Sequence, residues 1–130
     1  LSAIAQKSIK ETNYHLRHSS TWIIRLGDGT LESHEKVQLA INNLWMYTEE
    51  LFEMSKDDIE MVQQHIGVDN QTLKLEWDKI VNDVFVQATV NISTNDHMTK
   101  GGREGIHTEH LGHLLSDMQY LQRSYPDATW

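Results

Sequence analysis

A glutamate and a histidine stand four residues apart in the segment KETNYHLRH, residues 10–18. On a helix, Glu11 and His15 lie one turn apart and share a face. A carboxylate and an imidazole in this arrangement suit a di-iron or di-manganese centre in a helical bundle, where two helices each supply a Glu-x-x-His motif and two others each supply a glutamate. The residue three positions before His15 is Thr12, however, and a neutral hydroxyl is a poor ligand for ferrous ions.

The position of this pair on its helix predicts burial. A helical wheel places Glu11 and His15 beside the apolar stripe that runs through Ile4 and Trp22. Burying a carboxylate and an imidazole is costly unless each is paired or bound to a metal. We therefore expect both side chains to face the bundle interior, where they hold helices in register. Metal ligation is the alternative, although His15 alone cannot hold a cluster.

A second group of candidate ligands lies in HTEHLGHLL, residues 107–115. His107 and His110 fall on or beside the leucine face of a predicted helix, so a zinc site through these two is one interpretation. The segment departs from the HExxH motif of zinc proteases, because Glu109 comes before His110 and not after it. An ordinary helix surface is the favoured interpretation.

The elements that must position these residues are all predicted to be helices in a single domain, residues 1–130. Apolar residues recur every three or four positions, and the only proline is Pro126. GDGT, residues 27–30, is typical of a turn, and the polar, glycine-rich stretch 91–105 is typical of a loop. Helices are predicted over residues 2–26, 31–54, 55–66, 70–88 and 107–123.

Composition excludes several classes of partner. The chain has 19 acidic and 11 basic residues and a formal net charge of −8, so it repels nucleic acid and anionic membrane surfaces. It has no cysteine, which excludes disulfides and thiolate chemistry and is compatible with a cytoplasmic location. No apolar run approaches the roughly 20 residues that a membrane-spanning helix needs.

Large aromatic and sulfur-containing side chains suggest a partner surface. Trp45 lies in the second predicted helix, and four more such residues crowd the final thirteen positions: Met118, Tyr120, Tyr125 and Trp130. Tyrosine, tryptophan and methionine are enriched where interfaces bury anchoring side chains. We expect these residues to contact another subunit, either a different protein or a second copy of this chain.

Three stretches carry a resemblance to a known family: KETNYHLRHSSTWIIRLGDGT, LESHEKVQLAINNLWMYTEELF and GGREGIHTEHLGHLLSDMQYLQRSYPDATW. They resemble the C subunits of the bacterial phenylacetyl-CoA epoxygenase, a multicomponent ring 1,2-monooxygenase of phenylacetate degradation. The resemblance runs over essentially the whole chain and corresponds to the C-terminal half of the family's length. It implies a ferritin-like bundle to which an N-terminal portion contributes further helices.

The resemblance also implies a role for the opening pair. In the related catalytic A subunits, a KEENFH-type stretch provides the second glutamate and the histidine as di-iron ligands. Lys10, Glu11 and His15 match that stretch here, whereas Thr12 occupies the ligand glutamate's position. This implies a structural subunit that binds no cofactor itself and scaffolds the di-iron A subunit.

Two other functions stay open. One is a catalytically competent di-metal oxygenase of the same fold, with further ligands from the N-terminal half. The other is an independent interaction module for a small acid or thioester.

Overall fold

Helices form all of the regular secondary structure in the residues that the structure, a computed structural model, describes: 2–92 and 97–129. This confirms the predicted all-α class and is consistent with a ferritin-like bundle. None of the helices in these ranges is long and apolar enough to cross a membrane. The helices are α1 (Ser2–Gly27), α2 (Leu31–Leu44), α3 (Lys56–Gln63), α4 (Asn70–Gln87), α5 (His110–Met118) and α6 (Tyr120–Ser124), with 3-10 turns at Trp45–Tyr47, Glu49–Phe52 and Gly102–Glu104.

Local side-chain chemistry sets where three helices begin. The Thr30 side chain accepts a hydrogen bond from the backbone N–H of Ser33 at the start of α2. Ser55 and Asp58 form a reciprocal capping box at the start of α3, and the Asp69 carboxylate caps α4. These caps satisfy backbone donors that have no partner inside the helix. The predicted starts of these three helices are confirmed to within one residue.

Three predicted helices differ from those observed. The third, expected over residues 55–66, ends at Gln63. The second was expected to continue to residue 54, but α2 ends at Leu44 and two 3-10 turns follow. The N–H and the hydroxyl of Thr48 both donate to the Trp45 carbonyl, at 3.0 and 2.8 Å, which favours the tighter i to i−3 turn over continued α-helix. The final helix begins at His110 and is divided in two at Gln119.

The chain divides into two compact units between Thr99 and Lys100, and the prediction of a single domain stays a prediction. The core of the first unit is a cluster of Val37, Ile41, Ala88 and Val90, against which Ile23, Ile24 and Phe85 pack. This cluster joins α2, the end of α4 and the end of α1.

Gly27 is the point of closest approach in this core. A Cβ atom at this position would lie 2.4 Å from the Ala88 carbonyl oxygen, so only glycine lets α1 come so near the end of α4. The Gly27 carbonyl also accepts hydrogen bonds from His34 Nδ1 at 2.7 Å and from the Thr89 hydroxyl at 3.4 Å. One carbonyl group therefore joins the end of α1 to α2 and to the segment that follows α4.

The N-terminal two-thirds of α1 are exposed to solvent. Every residue from Ser2 to Ser19 is exposed, and partial burial begins only at Ser20. The helix therefore packs within its own unit only through its C-terminal third.

The second unit, Lys100 onward, contains α5 and α6. Gly101 and Gly105 have positive φ angles of 97° and 86°, which allow the 3-10 turn between them. Most large apolar side chains of this unit are exposed, including Ile106, Met118 and Tyr120.

Candidate functional site

The Glu11–His15 pair exists, but it lies on the surface of this chain. His15 Nε2 is 3.7 Å from a Glu11 carboxylate oxygen, and the two side chains are 67% and 76% exposed. The prediction that both side chains are buried is therefore wrong for this chain. Every other residue from Ser2 to Ser19 is exposed as well, so the apolar stripe beside the pair is itself uncovered.

Thr12 directs its hydroxyl back into its own helix. Its Oγ1 donates to the Ser8 carbonyl at 3.1 Å, so the hydroxyl serves the backbone. No carboxylate stands at this position to join Glu11 and His15. Within residues 2–92 and 97–129, no three His, Cys, Asp or Glu side chains come together in a way that could hold a metal ion.

The second candidate, in residues 107–115, lies at the start of α5. His107 precedes α5 and His110 is its first residue. Neither belongs to a group of three metal-binding side chains in the described part of the chain. The structure thus gives no support to a zinc site here.

The side of α1 that carries Tyr14 is basic and aromatic. The Tyr14 ring stacks on His18 with 5.8 Å between centroids, and the Arg17 guanidinium lies 5.6 Å from the Tyr14 ring centroid. Lys7 and Lys10 join these residues along an open groove of about 560 Å³. The contacts of the Tyr14 ring with His18 and Arg17 were not predicted from the sequence. The signal that could have indicated them is the four-residue spacing of Tyr14, His18 and Trp22, which places their rings on one side of the helix.

Trp45 is half buried in an aromatic cluster of the first unit. It stacks on Trp77 with 5.7 Å between ring centroids and lies 5.9 Å from Phe85, while Phe52 meets Trp77 edge-on at 5.3 Å. A small cavity of about 120 Å³ lies against Trp45, Phe52 and Trp77. Trp45 therefore takes part in packing within the chain, and its assignment to a partner surface stays a prediction.

The other predicted partner residues are exposed where the structure describes them. Met118 and Tyr120 are each 66% exposed, and Tyr125 is similarly open. Trp130 lies outside the described residues. These exposed side chains are available to a partner, and their role as an interface stays a prediction.

Comparison with known proteins shows which family this chain belongs to. The sequence profile of the family described as "Phenylacetic acid catabolic protein" matches residues 1–130. The chain belongs to this family.

One curated relative narrows the comparison. The chain is 46% identical over 130 residues to the C subunit of the 1,2-phenylacetyl-CoA epoxidase of Escherichia coli strain K12. The match covers all of this chain and 52% of that relative. The chain therefore spans about half the length of the relative that it matches.

Proposed function

We propose that this chain forms part of a non-catalytic structural subunit of a multicomponent phenylacetyl-CoA epoxidase in phenylacetate catabolism. The similarity to the Escherichia coli C subunit, which extends over the whole chain, supports membership of such a complex. On this proposal the chain is a portion of a longer subunit, and the complex acts in the cytoplasm.

The observation that carries the non-catalytic role is the residue at position 12. A bundle di-iron site uses a glutamate and a histidine three residues apart on one helix, and anionic oxygens offset the charge of the metal ions. Thr12 offers a neutral hydroxyl that donates to the Ser8 carbonyl. Glu11 is one residue removed from that position and contacts His15 instead. The helix thus keeps part of a ligand set without the carboxylate that completes it.

The partner in this proposal is the catalytic A-type subunit, which would hold the di-iron centre, so this chain needs no cofactor of its own. Its contribution is to position that subunit. The exposed side chains of Met118, Tyr120 and Tyr125 are suited to such an interface, because they offer large apolar area with few rotatable bonds in the tyrosines. A second copy of this chain is the other candidate for that surface.

Iron content tests the non-catalytic role. The full-length protein is loaded anaerobically with ferrous ion, desalted and analysed by elemental analysis, beside a Glu11→Gln/His15→Gln variant. We expect less than about 0.1 iron per chain in both, because one carboxylate and one imidazole cannot hold a di-iron centre. About two irons per wild-type chain, lost in the double variant, would instead establish the catalytic alternative.

Co-purification tests the place in a complex. The tagged chain is expressed together with an A-type subunit, and the mass of the purified species is measured. A stable assembly supports the proposal. If the two proteins elute separately while the chain itself is folded and free of iron, the independent interaction module becomes the better description.

A further inference from the structure

The cavity beside the aromatic cluster of the first unit has no part in the proposed function. Three aromatic side chains form its apolar wall: Trp45, Phe52 and Trp77. Trp45 stacks on Trp77 and Phe52 meets Trp77 edge-on, so the three rings hold one another in place. Met98 adds a polarisable thioether to the lining. We call this space the Trp77 cavity.

Hydrogen bonds fasten the segments that carry these walls. The Gln71 side-chain amide donates to the Phe52 carbonyl at 3.1 Å and ties the second 3-10 turn to the start of α4. The backbone N–H of Thr99 donates to the Met46 carbonyl at 2.8 Å and ties the residue after Met98 to the first 3-10 turn. The cavity is therefore formed without a ligand, as most small-molecule sites are.

The size of the Trp77 cavity limits what it can hold. Its volume is about 120 Å³, whereas protein interiors contain few voids larger than one water molecule. An apolar cavity of roughly 150 Å³ binds one benzene molecule. A single six-membered ring with one small substituent is therefore the largest ligand that fits.

The charged groups of the cavity select against charged ligands. The Lys74 ammonium lies 5.7 Å from the Phe52 ring centroid, the position that a cationic ligand would take on that ring. Both carboxylate oxygens of Asp78 accept from this ammonium, at 2.7 and 2.9 Å, and balance its charge. The Glu49 carboxylate also lines the cavity and repels anions. An uncharged ligand is therefore favoured.

Thr48 supplies a polar group that can orient such a ligand. Its hydroxyl donates to the Trp45 carbonyl at 2.8 Å, and the same oxygen can accept a hydrogen bond. Apolar walls with a few polar groups are typical of small-molecule sites. We propose that the Trp77 cavity binds one small uncharged aromatic molecule with a hydroxyl group, such as phenol. Its ring lies against Trp45 and Trp77, and its hydroxyl donates to Thr48 Oγ1.

The test titrates the full-length protein with phenol and follows the methyl NMR signals of its methionines. The Met98 signal, assigned by its loss in Met98→Leu, reports on the cavity. Met118 is the internal reference, because it is 66% exposed in the second unit. Benzoate and tetramethylammonium are the charged probes, and toluene is the probe without a hydroxyl. Thr48→Val removes the hydroxyl of this residue, and Thr48→Ser is the matched control that keeps it.

We expect the Met98 signal to shift to saturation with a dissociation constant for phenol on the order of 1 mM, which suits a ligand of this size. The Met118 signal should not saturate. Thr48→Val should weaken phenol binding at least fivefold and change toluene binding less than twofold, because only phenol uses the hydroxyl. Thr48→Ser should bind phenol within twofold of the parent protein.

Three results would each overturn the inference: no saturable shift of Met98; binding of benzoate or tetramethylammonium as tight as that of phenol; or a Thr48→Val variant that binds phenol as tightly as the parent protein. The first two use the unaltered protein, so they decide the matter even where a variant fails to fold. The inference rests on the geometry of the first unit and not on the epoxidase assignment, so neither iron content nor co-purification bears on it.

Discussion

The contact between Gly27 and Ala88 yields the most sharply defined prediction, for the variant Gly27→Ala. The new Cβ would lie 2.4 Å from the Ala88 carbonyl oxygen and 2.8 Å from the Ala88 Cβ. Carbon atoms pack without repulsion at roughly 3.5–4.0 Å, so the ends of α1 and α4 would have to separate by about 1 Å. Ala88 is fully buried, which leaves it no solvent-facing direction in which to move.

Two effects of opposite sign determine the size of the change. Replacing glycine by alanine in a helix favours folding by up to about 1 kcal/mol. Overpacking a well-packed core costs roughly 1–3 kcal/mol, and the separation also strains the hydrogen bonds that His34 and Thr89 donate to the Gly27 carbonyl. Because Gly27 is the last residue of α1, the gain from helix propensity is small there. We expect the free energy of unfolding to fall by about 1–3 kcal/mol.

Urea unfolding followed by tryptophan fluorescence measures this change, since Trp45 and Trp77 stack within the same unit. The matched control is Gly112→Ala in α5, where an added Cβ would meet no atom within 4 Å. There we expect slower amide exchange in α5, corresponding to a gain of about 0.5–1 kcal/mol. If Gly27→Ala proves as stable as the parent protein or more so, the close approach of α1 to α4 cannot be the reason for glycine at this position.

Three further experiments test other features. Ser55→Ala should lower the free energy of unfolding in urea by about 1 kcal/mol, because it removes the capping box of α3. Ser55→Thr keeps the hydroxyl and should retain most of that stability, so equal losses in the two variants would contradict the capping role. Glu11→Ala in this chain alone should change stability by less than about 0.5 kcal/mol, because the pair with His15 is exposed, and a larger loss would show that the carboxylate is buried in solution. Truncation after Gln122 should leave the helical circular dichroism signal largely intact, since Tyr125 is exposed. The truncated chain should capture an A-type subunit less well. If the truncated chain unfolds, the removed residues belong to the core.

Local chemistry made parts of this fold predictable. The turn at residues 27–30 and the helix starts capped by Ser55 and Asp69 depend on side chains close by in the sequence, so the sequence alone locates them. The second helix was predicted to be too long. The Thr48 hydroxyl donates to the Trp45 carbonyl and favours a 3-10 turn over continued α-helix, and the spacing of apolar residues does not distinguish these two conformations.

The residues of the candidate site could be predicted from the sequence, but their exposure to solvent could not. The sequence shows directly that threonine, and not glutamate, stands three residues before His15. Burial of Glu11 and His15 cannot, because a periodic pattern identifies the apolar face of a helix and not the element that covers it. The role of Gly27 was also hidden, since a glycine before Asp-Gly is typical of a turn and its contact with Ala88 lies 61 residues further along the chain.

The connection between α1 and α2 also has a consequence for how this family diverges. Ser33 Oγ donates to the Leu26 carbonyl at 2.7 Å, and His34 Nδ1 reaches the Gly27 carbonyl at 2.7 Å. A Cβ on Gly29 would lie 2.6 Å from the Arg25 carbonyl oxygen. An inserted or deleted residue between Gly27 and Ser33 would break these bonds together. Insertions and deletions among homologues should therefore avoid this connection, so its length offers a fixed reference when distant sequences are aligned with this chain.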